Sequence, residues 1–252
     1  MPLTENHVTF WKSLRITDPE CDIHNRIKLG FILRHLQEIS GEHLDALGYP
    51  NEKLYEIGQG FFLSKIRLEI FRRPESGEIL RWQTTPLPPS GVQFIRKNEI
   101  FDASGSLVLR SDSLWALVDL HSRRILRPSA FPGSLSFGET FSRDRLSALR
   151  IHIPADMKNA SLPPAWEREI RFSDLDINRH VNNAAYADFV MDVLPDEISL
   201  KKEPEELLIS FHNEACLHDR LSVSCFQGTP VSWYVSARTE QLCFEASIRF
   251  KE

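Results

Sequence analysis

The feature that most constrains the fold is an order of elements that occurs twice along the chain. In the first half, apolar residues at helical spacing run into helix-stop signals: Leu29, Ile32, Leu36, Ile39 and Leu47, then Gly48 and Pro50. Runs with the period of two that is typical of strands follow, at 66–70, 92–101 and 107–120. The second half repeats this order, with a helical stripe of Tyr186, Phe189, Val190 and Val193 before alternating runs at 221–225 and 244–250. The sequence therefore predicts two similar halves.

The two halves can be placed in register. Aligning Asp22-Ile23-His24 with Asp176-Ile177-Asn178 superposes both predicted helices. Residues 127–164 between them are rich in proline and glycine, as is typical of a connector. We predict an N-terminal domain over 1–132, a linker over 133–163 and a C-terminal domain over 164–252. A helix followed by half-buried strands favours an α+β fold, in which a curved antiparallel sheet wraps around one long apolar helix in each domain.

Composition excludes several classes of protein. The 252 residues are 42% hydrophobic and 26% charged, values typical of soluble globular proteins. No segment has the length and apolar character of a membrane span or a secretory signal, so we expect a cytoplasmic protein. The net charge of −5 argues against broad nucleic-acid binding. The four cysteines form no CxxC pair, which favours reduced, mostly packed thiols over disulfides or a zinc site.

The densest cluster of polar side chains lies just before the second predicted helix. Residues 174–183 include two carboxylates, three amides and an imidazole. If the chain is extended here, Asp176, Asn178 and His180 project to one side, because alternate side chains of a strand share a face. Hydrolysis of an ester or thioester needs a base or nucleophile, donors for the oxyanion and groups that orient both. The triplet is therefore a candidate site for acyl transfer to water.

Some of these side chains have an alternative, structural explanation. Asp and Asn readily bond to nearby backbone N–H groups in turns and helix caps. We assign that role to Asn182 and Asn183, and to Asp174, although the reverse assignment of Asp174 and Asp176 stays open. A lone histidine is by default a structural residue, but its alternation with the other members of the triplet favours a functional role for His180.

Residues 174–186 resemble a known motif. Asp174-Leu175-Asp176, Asn178, His180-Val181-Asn182-Asn183 and Tyr186 match every fixed position of the DLDxNxHVNNxxY motif of acyl-acyl carrier protein (acyl-ACP) thioesterases. The resemblance implies two tandem hotdog domains, with the chemistry in the second. It also implies that Glu214, in Ile209-Ser210-Phe211-His212-Asn213-Glu214-Ala215-Cys216, is the acidic site residue on a downstream strand.

The resemblance also bears on the mechanism. Many family members carry a cysteine directly after that glutamate, but here the position is Ala215, so a cysteine nucleophile is not expected. Neighbouring residues of a strand face opposite sides, so we predict that Cys216 is a packing residue. The catalytic set is then Asp176, Asn178, His180 and Glu214, with Asn178 holding the thioester or water. Asp176 could attack the carbonyl, or a carboxylate could activate water, and both routes stay open.

The expected partner is an acyl carrier protein that carries the acyl substrate, with the first domain supplying the acyl-chain pocket. Because carrier proteins are acidic, four basic pairs are candidate docking residues: Arg72/Arg73, Arg96/Lys97, Arg123/Arg124 and Lys201/Lys202. No metal or organic cofactor is expected, since the chain has no HExxH motif and no phosphate-binding glycine loop. Monomer and homodimer both stay open. The alternatives are an acyl-coenzyme A thioesterase, a hydratase or dehydratase of the same fold, and a non-catalytic acyl-binding module.

Overall fold

The structure, a computed structural model, describes residues 8–153 and 164–252. It divides into two units between Ser147 and Ala148, a point inside the segment 133–163 that was predicted to be a linker. The helices of the described residues include none with both the length and the apolar composition needed to cross a bilayer.

The described residues of the first unit form five antiparallel strands and one long helix. The strands are β1 (Phe10–Arg15), β2 (Gln59–Ile70), β3 (Ile79–Ser90), β4 (Gln93–Phe101) and β5 (Leu107–Asp119). They pair in the order β1-β3-β4-β5-β2. The helices are α1 (Leu29–Ala46), α2 (Asn51–Glu56) and α3 (Arg143–Ser147).

The second unit repeats this topology. Its strands are β6 (Trp166–Glu169), β7 (Pro204–Phe211), β8 (Arg220–Thr229), β9 (Ser232–Arg238) and β10 (Leu242–Phe250). They pair in the order β6-β8-β9-β10-β7, which is the order of the first unit shifted by five strands. Its helices are α4 (Ala185–Asp192) and α5 (Asp196–Ser199). The predicted order, helix and then antiparallel strands, is thus present in both units.

Helix α1 forms as its apolar spacing predicts. Leu29, Ile32, Leu36 and Ile39 are each at most 2% exposed, and the helix packs on β1 and β3. Full burial of one such side chain contributes about 1.5–3 kcal/mol, so this face fixes the position of the helix. The helix stops before Gly48, whose φ of 84° is a left-handed conformation that glycine adopts without strain.

Helix α4 is shorter than the long helix expected in the second domain. It has 8 residues against 18 in α1, and Val193, predicted in its apolar stripe, is already the residue that ends it. Pro195 disfavours helical geometry at the residue before it, which explains the early end. Tyr186, Phe189 and Val190 are nevertheless buried, and the helix packs on β10.

Part of the predicted linker is packed rather than loose. Leu135 packs against the apolar cluster of Leu54, Phe94, Leu117 and Phe131 in the first unit. Farther along, the guanidinium of Arg145 donates hydrogen bonds to Asp112, whose side chain is 1% exposed. Burial raises the pKa of Asp112, although Arg145 acts against this. The residues up to Arg145 therefore contact the first unit through apolar packing and one buried ion pair.

Candidate active site

The loop from Leu175 to Val181 reverses direction instead of running extended. Leu175 and Val181 pair as an isolated antiparallel bridge, and the Asp176 N–H donates to the His180 carbonyl at 3.0 Å. The Asp176 Oδ1 accepts the Asn178 N–H at 2.8 Å, which closes an Asx turn. Arg179 completes the reversal with a φ of 69°. The condition of an extended chain, on which the three side chains would share one face, is therefore not met, because this side-chain turn outweighs the alternating pattern.

The turn still brings the carboxylate and the imidazole together. The His180 Nδ1 lies 3.9 Å from the Asp176 Oδ1, and the His180 Nε2 lies 3.6 Å from the Glu214 Oε1. Each ring nitrogen of His180 thus faces a carboxylate. Both distances exceed that of a normal hydrogen bond.

Glu214 reaches the site from beyond the end of a strand. Strand β7 ends at Phe211, so the prediction that Glu214 lies on a strand was wrong by three residues. Its position is set by backbone contacts, because the Val181 N–H donates to the Ala215 carbonyl at 2.9 Å and His180 pairs with Cys216. The Glu214 side chain is 37% exposed, so water can reach the carboxylate.

Asn178 is positioned differently from the other predicted site residues. It is exposed at the tip of the turn, where its backbone N–H is bonded to Asp176. Its side-chain amide makes no hydrogen bond with a residue in 8–153 or 164–252. The structure therefore brings Asp176, His180 and Glu214 together and leaves the Asn178 amide directed to no described protein group.

Asp174 and Asn182 shape the loop. The Asp174 Oδ2 accepts the Arg171 N–H at 2.8 Å and a guanidinium N–H of Arg168 at 2.5 Å. The Asn182 Oδ1 accepts the Ala184 N–H at 2.9 Å just before α4. Asp174 and Asn182 thus make the contacts that were predicted for them as turn and cap residues. The side chain of Asn183 makes no such bond with the part of the chain that the structure describes.

An open polar depression adjoins Glu214. It encloses about 1210 Å³ of space that includes open solvent. Its walls come from two separate segments of the second unit, residues 213–220 and 239–241. Asn213 and Asp219, which line it, were not predicted as site residues. Only the fold brings the two segments together, so no pattern within either segment could have indicated them.

Cys216 was predicted to be a packing residue, and the structure places it at the surface. The alternation of strand faces does not apply to it, because the chain has left β7 five residues earlier. Partial desolvation and the nearby carboxylates of Asp219 and Glu214 raise the pKa of its thiol. Since the thiolate is the reactive form, this environment makes Cys216 a poor nucleophile.

The first unit contains a second copy of the same loop. The Asp22 Oδ1 accepts the His24 N–H at 2.9 Å and the Arg26 N–H at 3.1 Å. The Asp22 N–H donates to the Arg26 carbonyl at 2.8 Å, as Asp176 does to His180. Asn25 has a φ of 60°, which matches Arg179. The predicted register between the halves therefore aligns two loops with the same backbone structure.

The side chains of this first loop differ from those of the second. The Ile27 N–H donates to the Pro74 carbonyl at 2.9 Å, as Val181 does to Ala215. Arg73 therefore occupies the position of Glu214. Its Nη1 lies 2.5 Å from the Asp22 Oδ2, and its side chain is 5% exposed. The aspartate of the first loop thus forms a buried ion pair with an arginine instead of facing a histidine.

Among the described residues, no group of three or more histidine, cysteine, aspartate or glutamate side chains is placed to hold a metal ion.

Comparisons with known proteins place the chain in a family. Residues 7–129 match the acyl-ACP thioesterase N-terminal domain, and residues 164–252 match the acyl-ACP thioesterase C-terminal domain. The chain belongs to the acyl-ACP thioesterase family. Asp176, His180 and Glu214 all lie in the part that matches the C-terminal domain.

Curated relatives in the acyl-ACP thioesterase family are plant proteins. An oleoyl-acyl carrier protein thioesterase of Coriandrum sativum is 24% identical over 238 residues, which cover 86% of this chain and 62% of the relative. An acyl-[acyl-carrier-protein] hydrolase of Cuphea viscosissima is 24% identical over 233 residues, 86% of this chain and 54% of the relative. The chain therefore spans 54–62% of the length of these two relatives.

Solved structures confirm the fold class. An acyl-ACP thioesterase from Bacteroides thetaiotaomicron superposes with a TM-score of 0.81 at 20% identity, covering 98% of this chain and 99% of that one. A 12:0-ACP thioesterase from Umbellularia californica has a TM-score of 0.82 at 16% identity, covering 96% and 97%. The prediction of an α+β fold with two tandem hotdog domains is thus confirmed.

Proposed function

We propose that this protein is a thioester hydrolase that releases free fatty acids from acyl-ACP in fatty acid biosynthesis. The observation that carries the proposal is His180, held between the carboxylates of Asp176 and Glu214 at 3.9 and 3.6 Å. This constellation lies in the region that matches the C-terminal domain of the family. The two plant relatives, an acyl carrier protein thioesterase and an acyl-carrier-protein hydrolase, support the same reaction.

Glu214 has the position of the general base. Its carboxylate borders the open depression, where a water molecule can approach, and it also faces the imidazole of His180. In the proposed step, the water oxygen attacks the thioester carbonyl carbon while its proton passes to Glu214 and His180. The carbon–sulfur bond then breaks, and the same pair returns the proton to the departing thiolate. The products are a fatty acid and the carrier thiol.

Asp176 has the position of an orienting group. One of its carboxylate oxygens, Oδ1, already accepts the Asn178 N–H at 2.8 Å and is the atom nearest to the His180 Nδ1. A carboxylate tied into the turn in this way is fixed against the histidine, which favours water activation over attack by Asp176. The exposed amide of Asn178 is then available to donate to the thioester oxygen, where negative charge develops.

The first unit has a cavity that suits an acyl chain. It contains about 600 Å³ of empty space, part of it open to solvent, and its walls include Leu44, Phe61, Phe94 and Trp115. Apolar walls of this kind are typical of sites for aliphatic ligands. This cavity is the proposed acyl-chain pocket of the N-terminal domain.

Two of the four basic pairs fit the proposed docking of a carrier protein. Arg123/Arg124 and Lys201/Lys202 are exposed. Arg73 and Arg96 are 7% and 8% exposed, so the prediction of a docking role was wrong for both. Arg72 is exposed, but its guanidinium is bound to Glu78 at 2.6 Å. Docking therefore involves the arginine pair, the lysine pair or both.

The deciding experiment measures thiol release from acyl-ACP and acyl-coenzyme A thioesters of several chain lengths. Glu214→Gln, His180→Gln and Asp176→Asn are compared with the wild type, and Asp176→Asn keeps the side-chain oxygen that closes the turn. Loss of a general base or acid typically costs 10²–10⁴-fold, so we expect kcat to fall about 100-fold or more for Glu214→Gln and His180→Gln.

A second histidine–glutamate pair provides a matched control in the same unit. The His212 Nε2 lies 3.1 Å from the Glu245 Oε2, with side-chain exposures of 37% and 29%. We expect His212→Gln and Glu245→Gln to retain wild-type turnover. Equal losses of turnover in the His180/Glu214 and His212/Glu245 variants would contradict the assigned site.

The wild-type panel separates the alternatives. Preference for coenzyme A esters would identify an acyl-coenzyme A thioesterase, and binding without turnover would identify an acyl-binding module. Hydroxylamine trapping tests the route, because an anhydride at Asp176 would yield a hydroxamate detectable by mass spectrometry. Hydroxylamine also cleaves the thioester itself, so only a hydroxamate on the Asp176 side chain is diagnostic, and none is expected there if water attacks directly.

A further inference from the structure

One charged residue lines the apolar cavity of the first unit. Arg96 lies on β4, and its side chain reaches the space bounded by Leu44, Phe61 and Trp115. It is 8% exposed. The other described residues that line the cavity are apolar or neutral. The cavity is therefore an apolar space with one cationic group in its wall.

Among the described residues, the side chains that contact the Arg96 guanidinium are a hydroxyl and an imidazole, with no carboxylate. Its Nη1 donates to the Thr84 Oγ1 at 3.0 Å and lies 3.1 Å from the His43 Nδ1. No carboxylate in residues 8–153 or 164–252 forms an ion pair with it, and its Nε and Nη2 make no hydrogen bond with those residues. Burial lowers the pKa of Arg96 to about 10, so the guanidinium still carries its charge at neutral pH.

An arrangement of this kind is costly unless a ligand completes it. A buried charge is normally paired, and a guanidinium has five N–H donors to satisfy. Arg73, the other buried arginine of this unit, is paired with Asp22 at 2.5 Å. A fully apolar chain in the cavity would displace water from Arg96 without replacing its hydrogen bonds. An anionic oxygen at the same place would satisfy both the charge and the donors.

Gly41 supplies an independent sign that the space is kept open. It lies inside α1 and lines the cavity, and a Cβ added there would meet no atom within 4 Å. Glycine in a helix interior is about 1 kcal/mol less favourable than alanine. The helix thus carries a destabilising residue at the point where any side chain would enter the cavity.

We propose that this cavity binds an aliphatic carboxylate, with its chain against Leu44, Phe61 and Trp115 and its carboxylate on Arg96. Two kinds of ligand provide such a carboxylate. One is a free fatty acid, and the other is an acyl chain with a second carboxyl group at its far end. The inference does not rest on the proposed hydrolysis, because it concerns binding in the first unit alone. Its test therefore needs no turnover.

The test is calorimetric titration of the full chain with decanoate, decan-1-ol and a coenzyme A ester of decanedioic acid. The alcohol has the same chain length without the charge. Arg96→Met keeps an apolar side chain of similar length, and Arg81→Met is the control, on an exposed position of β3. A charge-assisted hydrogen bond supports an expected loss of about 10- to 100-fold in decanoate affinity for Arg96→Met, and none for Arg81→Met.

A second variant tests the location without removing the charge. Gly41→Leu places a good helix former where the cavity is open, so the protein should fold and the ligand should be excluded. We expect decanoate binding to be lost. Decanoate binding that survives in Gly41→Leu, or wild-type decanoate affinity in Arg96→Met, would overturn the proposal, as would equal affinity of the wild type for decanoate and decan-1-ol.

The ligands separate the two sources. Tight binding of decanoate supports a free fatty acid. Binding of the decanedioyl ester alone, again dependent on Arg96, supports a second carboxyl group on the acyl chain. Failure of both ligands to bind would overturn the proposal and would leave the hydrolysis experiment unaffected.

Discussion

The ion pair between Asp22 and Arg73 gives a prediction whose size follows from its burial. Asp22→Asn removes the negative charge but keeps an oxygen that can accept the His24 and Arg26 N–H groups, so the loop retains its own hydrogen bonds. In that variant Arg73, which is 5% exposed, no longer faces the negative charge of Asp22. Removal of one partner from a buried pair costs about 3–5 kcal/mol. Because Asp22 is 24% exposed, we expect about 3 kcal/mol, the lower end of that range.

The assay is urea unfolding, with hydrogen exchange of the α1 amides to report on the first unit separately from the second. Glu167→Gln is the control, because it breaks the exposed pair between Arg220 and Glu167, whose N–O distance is 2.7 Å. Exposed pairs contribute little, so we expect no resolvable change there. A cost for Asp22→Asn as small as that of the control would refute the reasoning from burial.

The ion pair between Asp22 and Arg73 also makes the stability of the protein depend on pH. Burial alone would raise the pKa of Asp22, but Arg73 and the two N–H donors outweigh it and lower the pKa. A carboxyl group with a lowered folded-state pKa contributes stability above its unfolded pKa of about 4, and the contribution is lost as pH falls through the folded value. The difference between wild type and Asp22→Asn should therefore shrink below about pH 4. A difference that stays constant down to pH 2 would contradict this.

Three further predictions concern single side chains. Arg179→Asn should raise the free energy of unfolding by about 1 kcal/mol, because residue 179 has a φ of 69° and asparagine tolerates that conformation better; a decrease in a urea titration would count against it. Gly41→Ala should stabilise α1 by about 1 kcal/mol in the same titration, since its Cβ meets no atom within 4 Å, and destabilisation would show that the space is filled. Cys216→Ser should retain the wild-type kcat/KM, because the raised pKa of the thiol disfavours the reactive thiolate. A loss of more than tenfold in kcat/KM would show that the thiol takes part in the reaction.

The elements that sequence predicts best are those with a strong period and a clear end. Helix α1 has both, in its apolar spacing and in Gly48. Strand β3 was not predicted, and it contains Pro86, Pro88 and Pro89, residues that normally argue against a strand. Pairing with β4 over most of its length outweighs that local preference.

The candidate site was predictable in its residue types but not in its geometry. The motif identified Asp176 and His180, and the family pattern identified Glu214. The alternating residue types would share one face only in an extended chain, and they do not reveal a side chain that closes its own turn or an Arg179 in the left-handed region. The buried Arg96 was also missed, since arginine is mostly exposed and only the packing of the sheet determines which arginine is not.

The two copies of the loop show how little separates an acidic, histidine-bearing site from an ion pair. Asp22 and Asp176 close the same turn, so the aspartate has a structural role that is independent of catalysis. At the positions of the predicted site residues, the first loop has His24 for Asn178, Arg26 for His180 and Arg73 for Glu214. Because the two loops keep the same backbone, their difference is one of side chains alone, and a few substitutions are enough to convert one kind of loop into the other.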